Sequence, residues 1–143
     1  AGLPLAEISR ILFREKREDF VRLLAVTLPS LRVTEAGCVA GLCTSLEQFR
    51  QNGLDPAETD GVVDYAIDIQ GVCMAYYLHE QEKNVTKVSF RALPPYRVDQ
   101  VARQFVGGGH PQAAGCTLRM PAAQAVREVE TALHQALEEQ RNS

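Results

Sequence analysis

The tripeptide Gly107-Gly108-Gly109 is the feature that most restricts how this chain can fold. Consecutive glycines favour neither helix nor strand, because each costs backbone entropy and adds no side chain to a core. One glycine suffices for most turns, so a run of three indicates that something approaches the backbone closely. His110 and Pro111 follow, and proline is common in the first turn of a helix. We therefore expect a loop leading into a helix start, whose free N–H groups can bind a phosphate or carboxylate. A plain turn between a helix and a strand is the alternative.

Length and charge place the chain among ordinary soluble domains. Its 143 residues suit one domain with a real core. The net charge of -3 argues against binding along extended nucleic acid, which depends on a broad basic surface, but leaves a local anion site open. No stretch is apolar for long enough to span a membrane and no signal-peptide pattern is present, so we expect a cytoplasmic protein without a membrane partner.

The four cysteines lie in apolar surroundings and form no Cys-x-x-Cys pair, so we expect buried free thiols in a reducing compartment rather than a disulfide or zinc site. They are Cys38, Cys43, Cys73 and Cys116.

The hydrophobic pattern alternates between helical and strand-like segments and predicts an α/β fold. We expect a single domain with a mixed sheet of about five strands and helices covering both faces. The predicted helices are one bent or two short helices within 3–28, then 46–51, 98–105, and a final helix after Pro121 with a frayed tail at 138–143. The predicted strands are 31–34 and 38–44, paired as a hairpin, then 72–79, 85–92 and 115–120.

The strand at 85–92 carries the best candidates for ligand contact. Val88 and Phe90 point one way, while Lys87, Ser89 and Arg91 point the other at intervals of about 6.7 Å. Among them Arg91 has the strongest case, because its guanidinium can bind two phosphate oxygens at once and a lysine cannot. The alternative is the solvent-facing side of an edge strand.

A second polar cluster lies between residues 54 and 69. Asp60, Asp64 and Asp68 are spaced by four, which on a helix would place three carboxylates along one face. Hard cations bind such clusters, but a solvated acidic face is the commoner explanation. We therefore assign no metal ligand.

Residues 107–115 resemble the Gly-Gly-Gly-His-x-x-Ala-Ala-Gly signature of the DHH-associated domain, the C-terminal domain of DHH-family phosphoesterases. Residues 87–91, Lys-Val-Ser-Phe-Arg, are similar to the family's Val-Ser-Phe/Met-Arg strand. Residues 60–63, Asp-Gly-Val-Val, resemble its Asp/Glu-Gly-hydrophobic-Val segment. The spacing of the three pieces looks most like the oligoribonuclease and phosphoadenosine-phosphate phosphatase group.

The resemblance implies a division of the chain. Residues 29–143 would form the substrate-binding domain, and residues 1–28 a helical connector from a catalytic domain that this sequence does not contain. In the family that catalytic domain holds two manganese ions on Asp and His ligands, which clamp the attacking and leaving oxygens of the displacement. By the same resemblance, this chain carries no catalytic or metal-binding residue and no cofactor, and is inactive alone.

The resemblance also implies roles for individual residues. Backbone amides of Gly107, Gly108 and Gly109 would reach a phosphate, and His110 would donate to it or pack against a base. Arg91 would pair with the substrate's phosphate, with Ser89 as a weaker hydrogen-bonding candidate. Members often have asparagine where this chain has Asp64, so no substrate contact is assigned there.

These features predict a phosphate-binding domain for short oligonucleotides or nucleoside phosphates that works with its own DHH catalytic domain. Two alternatives are an RNA-binding module related to the C-terminal domain of alanyl-tRNA synthetases and a structural dimerisation unit, which would make the chain a homodimer. A third is a self-contained enzyme with His110 as general base and Cys116 or Ser89 as nucleophile. That mechanism needs a hydrogen-bonded pair and an orienting third group.

Overall fold

Six strands and six α-helices make up the part of the chain that the structure, a computed structural model, describes: residues 4–9 and 17–143. The helices are α1 (Leu5–Ser9), α2 (Glu18–Thr27), α3 (Leu46–Gln51), α4 (Asp64–Ile67), α5 (Asp99–Gln104) and α6 (Ala122–Arg141). The strands are β1 (Arg32–Thr34), β2 (Val39–Thr44), β3 (Met74–Glu82), β4 (Val85–Ala92), β5 (Gly108–His110) and β6 (Ala113–Leu118).

The strands form one mixed sheet in the order β1-β2-β3-β4-β6-β5. Strands β2 and β3 run parallel, and every other neighbouring pair is antiparallel. The predicted α/β fold with a mixed sheet is confirmed, as is the hairpin of the first two strands. The strand beyond the expected five is β5, for which the sequence Gly-Gly-His has no propensity.

Each face of the sheet carries its own hydrophobic core. On one face, side chains of β3, β4 and β6 pack against α5 and α6, with Tyr76, Phe90 and Leu133 among the fully buried residues. On the other face, Leu42 and Tyr77 pack against α2, α3 and α4. All the strand residues of this second core belong to β2 and β3. The second core therefore stops at β3, and the same face of β4, β6 and β5 lies beyond it.

Side-chain hydrogen bonds explain where two of the helices begin. The Ser45 hydroxyl accepts from the Gln48 amide at 3.2 Å, and Gln48 Oε1 accepts from the Ser45 amide at 2.9 Å, so α3 starts with the capping box that stabilises helix N-termini. The Glu80 carboxylate accepts from the first amide of α3, Leu46, at 2.8 Å and from the first amide of α6, Ala122, at 3.0 Å. One carboxylate thereby satisfies orphan donors of two helices.

The long helix α6 is tied to β1 and β3 through a single carboxylate. Glu130 accepts two hydrogen bonds from the Arg32 guanidinium, at 2.8 and 2.9 Å, and one from the Tyr76 hydroxyl at 2.6 Å. The Tyr76 ring occupies the space beside Gly41, where a Cβ atom would lie 1.9 Å from the ring. The bidentate geometry is the strong form of this ion pair.

Two sequence predictions about helices outside the glycine segment are wrong. Within 54–69 only α4, four residues long, is helical, so Asp60 precedes it, Asp68 is its C-cap, and the three carboxylates do not share a helix face. The last helix does not fray at Glu138 but continues to Arg141.

Near the N-terminus, α1 and α2 form separately. Residues 10–16, which lie between them, are outside the described part of the chain. Because α2 buries Leu23 and Leu24, it is packed onto the sheet, whereas the assignment of residues 1–28 to a connector stays a prediction.

Candidate functional site

The part of the sheet face beyond the second core carries three rows of residues in register. Residues paired across an antiparallel sheet point to the same side. The first row is Lys87 and Thr117, the second is Ser89, Gly115 and Gly108, and the third is Arg91, Ala113 and His110. We call this surface the open face. The predicted alternation of β4 is confirmed, because Val88, Phe90 and Ala92 are buried on the opposite side.

A cleft of about 710 Å³ runs over the first two rows. Its floor includes Lys87, Ser89, Gly115 and Thr117, and its inner end is the ring of His79. One wall comes from the loop before α4 and the other from the segment that follows α5: Pro56, Ala57, Thr59, Asp60, Phe105, Val106 and Gly107. Of the six predicted site residues, Ser89 and Gly107 line this cleft, and the other four lie outside its lining.

Arg91 occupies the third row, next to the cleft. Its Nη1 donates to the Phe90 carbonyl at 2.9 Å, and its Nε lies 3.9 Å from Asp64 Oδ1. The second distance is too long for a hydrogen bond, so it represents a loose ion pair. A guanidinium has further N–H donors that these contacts do not use, and its side chain is about one-third exposed. Arg91 is thus available to an anion that competes with Asp64.

His110 lies in the same row as Arg91 with Ala113 between them. Two strand spacings separate their Cα atoms by about 10 Å, and both side chains point to the same side of the sheet. His110 is exposed. One ligand lying across Ala113 can therefore touch both side chains.

The triple glycine does not lead into a helix, which corrects the prediction from the sequence. Gly108–His110 form the edge strand β5, and Pro111 with Gln112 makes the turn into β6. The Gly107 amide donates to the Ala102 carbonyl at 2.8 Å. A helix N-terminal anion cradle is therefore absent from this segment, and Gly107 has no free amide to offer. The outer edge of β5 is the side on which an edge strand presents unpaired backbone groups.

Two of the three glycines are required for steric reasons. A Cβ atom on Gly107 would lie 2.1 Å from the Gly115 carbonyl oxygen. Gly109 has φ 142°, and its Cβ would lie 2.6 Å from the Ala113 carbonyl oxygen. A Cβ on Gly108 would meet no atom of the described residues within 4 Å. The close approach inferred from the sequence is thus made by β6 itself at Gly107 and Gly109, and only Gly108 opens onto free space.

The residue before the triplet is strained. Val106 has φ 62° and is 96% exposed. A β-branched residue in the left-handed region is a genuine outlier, and such strain concentrates at functional sites. Here it lies on the wall of the cleft.

His79 is the site residue that sequence reasoning missed. It is 6% exposed, its ring stacks on Tyr77 with centroids 5.3 Å apart, and Phe49 meets its ring at an angle of 76°. Burial lowers the pKa of His79 to about 4, helped by the positive charge of Lys87 and opposed by Asp60. Its Nδ1 is buried without a hydrogen-bond partner among the described residues. In the sequence, the feature that could have identified it is a histidine at the end of the otherwise apolar predicted strand 72–79.

The arrangement does not support a nucleophile paired with His110. Cys116 points to the opposite side of the sheet, where it packs against the α5–α6 core, and burial raises the pKa of its thiol to about 11. A protonated thiol is a poor nucleophile. Ser89 is on the side of His110 but in a different row and two strands away. The self-contained enzyme is therefore not what this geometry forms.

Within residues 4–9 and 17–143, no three His, Cys, Asp or Glu side chains are grouped so that they could hold a metal ion. The described residues thus offer no site for manganese, and no step is assigned to a metal here. The four cysteines are free thiols that are half-buried rather than fully buried as expected. None of the described helices is both long and apolar enough to cross a membrane.

The fold is an α/β domain whose sheet has an uncovered half that carries polar side chains. Residues 37–139 match the DHHA1 domain family, and the chain belongs to that family. The family assignment agrees with the resemblance of residues 107–115 to its glycine-rich signature. A search of curated proteins finds no match.

Two solved structures share this fold. One is an exopolyphosphatase-related protein from Bacteroides fragilis, with a TM-score of 0.82 and 24% identity, over 94% of this chain and 39% of that protein. The other is a pGpG-specific phosphodiesterase from Vibrio cholerae, with a TM-score of 0.56 and 16% identity, over 95% of this chain and 44% of that protein. The chain thus spans about two-fifths of the length of the proteins it resembles.

Proposed function

We propose that this chain binds the phosphate of a short oligonucleotide or nucleoside phosphate on its open face, as the substrate-binding domain of a DHH-family phosphoesterase. In this proposal, hydrolysis takes place on a DHH catalytic domain that holds manganese, and this chain positions the substrate. The oligoribonuclease and phosphoadenosine-phosphate phosphatase group is the branch that we favour.

One observation carries the proposal. Arg91, Ser89 and Lys87 lie in successive rows of a face on which the neighbouring strands have small residues: Ala113 and Gly115 on β6 and Gly108 on β5. A phosphate can approach such a floor closely and meet the Arg91 guanidinium, with the Ser89 hydroxyl one row away. Arginine is the side chain that best matches phosphate oxygens.

The comparisons add support from outside the chain. The DHHA1 family match covers the open face, and the two proteins of similar fold carry names that refer to phosphate-ester or polyphosphate chemistry. Both are more than twice as long as the part that this chain matches, which leaves room in them for a separate catalytic domain.

The proposal predicts opposite effects for two neighbouring substitutions. Arg91→Gln should weaken the binding of adenosine 5′-monophosphate and of a 5′-phosphorylated dinucleotide by at least about tenfold, since a hydrogen bond to a charged group contributes about 1.5–3 kcal/mol. Asp64→Asn should tighten binding by up to about fivefold, because it removes a carboxylate that competes for the guanidinium at 3.9 Å. Isothermal titration calorimetry measures both.

Arg50→Gln is the matched control, because Arg50 is an exposed arginine at the end of α3, away from the open face. Adenosine without phosphate serves as the control ligand. Unchanged affinity in Arg91→Gln, or equal losses in Arg91→Gln and Arg50→Gln, would contradict the phosphate site. Circular dichroism verifies that each variant is folded.

A further inference from the structure

We propose that the part of the cleft next to His79, with Lys87 on its floor and Asp60 on its wall, is a nucleobase subsite that prefers guanine. This inference rests on the proposed function, because the base belongs to the nucleotide whose phosphate lies at Arg91. We call these three residues the inner subsite.

His79 supplies the first reason. Its ring is nearly fully buried at the end of the cleft, yet Nδ1 has no partner among the described residues. A buried polar atom without a hydrogen bond is costly, and native structures contain few of them. Nδ1 itself is enclosed, so a ligand in the cleft would bond to the other ring nitrogen, Nε2, which is not among the enclosed atoms without a partner. The lowered pKa, about 4, keeps the imidazole neutral at pH 7, so it can act as donor or acceptor without adding charge.

The mixture of polar groups decides between a second phosphate and a base. Lys87 only donates, Asp60 only accepts, and Thr117 and Gln81 can do both. A phosphate presents acceptor oxygens and negative charge, so the Asp60 carboxylate would repel it. The edge of a nucleobase presents donors and acceptors side by side, which suits this lining.

Among the nucleobases, guanine best matches the charged side chains of Lys87 and Asp60. Its O6 and N7 are acceptors of the kind that lysine binds in specific base recognition. Next to O6, the N1–H and the N2 amino group are adjacent donors, which a carboxylate can accept together. Adenine and cytosine lack that pair of neighbouring N–H donors beside a carbonyl oxygen. Lys87 with Asp60 therefore selects for guanine.

The length of the surface is compatible with one ligand. Arg91 and Lys87 are four positions apart along β4, which corresponds to about 13 Å between their Cα atoms. Both side chains are long, so the groups that they hold can lie closer together than the Cα atoms do. Ser89 lies midway and faces the same side.

The test measures the affinity of this chain for the 5′-monophosphates of guanosine, adenosine, cytidine and uridine, and for ribose 5-phosphate. Guanosine monophosphate should bind at least about tenfold more tightly than the others, since a well-matched base contact discriminates by about that much or more. Lys87→Gln and Asp60→Asn should reduce this preference to about twofold or less, with little change for ribose 5-phosphate. Lys83→Gln, in the exposed β3–β4 turn, is the matched control and should keep the preference.

His79→Phe provides a second readout that a merely structural role would not give. The phenyl ring keeps the packing against Tyr77 and Phe49 but has no buried polar atom to satisfy. The variant should therefore melt at a higher temperature than the wild type and yet lose guanosine preference. Loss of preference with unchanged or lower thermal stability, or a rise in stability with preference intact, would contradict the role of His79.

The outcomes separate this inference from the proposed function. If ribose 5-phosphate binds and Arg91→Gln abolishes that binding, but all four nucleotides bind equally, the inner subsite is wrong and the phosphate site stands. A guanosine preference that survives both Lys87→Gln and Asp60→Asn also overturns the subsite. If none of the five ligands binds, or Arg91→Gln changes nothing, the proposed function itself is wrong.

Discussion

At the scale of single residues, the buried position of His79 makes its protonation differ from that of an ordinary histidine. Histidine normally titrates near pH 6.5, but here loss of solvent, and then the positive charge of Lys87, favour the neutral ring and lower the pKa of His79. Protonation is disfavoured in the folded state and not in the unfolded chain. Lowering the pH should therefore destabilise the folded state through His79.

We expect the wild type to lose stability as the pH falls from about 6.5 to 4, and the His79→Phe variant to lose less. A folded-state pKa of about 4 against 6.5 in the unfolded chain corresponds to about 3 kcal/mol, fully present above pH 6.5 and lost by pH 4. Urea denaturation at several pH values measures the difference between the two proteins. Parallel pH profiles would contradict the buried neutral state.

Asp99 changes its contribution to stability over a lower pH range than His79, and so serves as an internal control. The hydrogen bond from Arg97 lowers the pKa of Asp99 to about 2, and Arg103 adds a second contact at 2.7 Å. Because this pKa is depressed, its stabilisation is present above pH 3.8 and is lost as the pH falls toward 2. Stability lost between pH 6.5 and 4 is therefore not due to Asp99.

At the level of elements, glycines 107–109 allow the chain that follows α5 to form the edge strand β5. Gly107 and Gly109 allow β5 to lie against β6 at distances that no side chain would permit. Gly108 faces the open side in the row of Ser89 and Gly115. Neighbouring glycines thus have different steric surroundings, and substitution by alanine distinguishes them.

We expect Gly107→Ala to lower the free energy of unfolding by about 3 kcal/mol or more, because the new methyl group overlaps a backbone oxygen at 2.1 Å. Gly108→Ala should change it by less than about 0.5 kcal/mol, as for a surface substitution without close neighbours. Urea denaturation compares the two.

In titration, Gly108→Ala should nevertheless weaken binding of nucleoside phosphates, because its methyl group projects from the floor on which the phosphate would lie. Normal affinity in Gly108→Ala would mean that the ligand does not approach this row.

At the scale of the whole molecule, uneven coverage of the sheet creates the site. The helices α5 and α6 cover one face, whereas the core of α2, α3 and α4 ends at β3 on the other. Glu80 and Glu130 hold α6 and the helix starts in place around this sheet. The uncovered half comprises β4, β6 and β5, and the chain as a whole carries a net charge of -3.

This geometry predicts a weak dependence of binding on salt. One phosphate held by Arg91 should give a slope of about -0.7 when the logarithm of the association constant is plotted against the logarithm of salt concentration. An RNA-binding module with several phosphate contacts would give a slope several times steeper. Titrations of a 5′-phosphorylated oligonucleotide across a range of sodium chloride concentrations distinguish the two, and a steep slope would favour the RNA-binding alternative.

Local pattern was enough to predict several features that position the site. The alternation of β4 placed Lys87, Ser89 and Arg91 on one side, because side-chain direction in a strand depends only on parity along the chain. The bounds of α3 followed from a local pattern as well. The glycine-rich signature of residues 107–115 was sufficient to indicate the family, because a long contiguous motif carries that information in the order of its residues.

The remaining features depend on contacts between segments that are distant in sequence. The tripeptide Gly-Gly-His becomes a strand only because β6 pairs with it, and local propensity contains no trace of that pairing. His79 is buried by Tyr77 and by Phe49 of α3, so its neutral state follows from packing rather than from its neighbours in sequence. Sequence alone determined which side chains could bind an anion. Tertiary structure decided which half of the sheet stays uncovered, because coverage depends on where the helices pack.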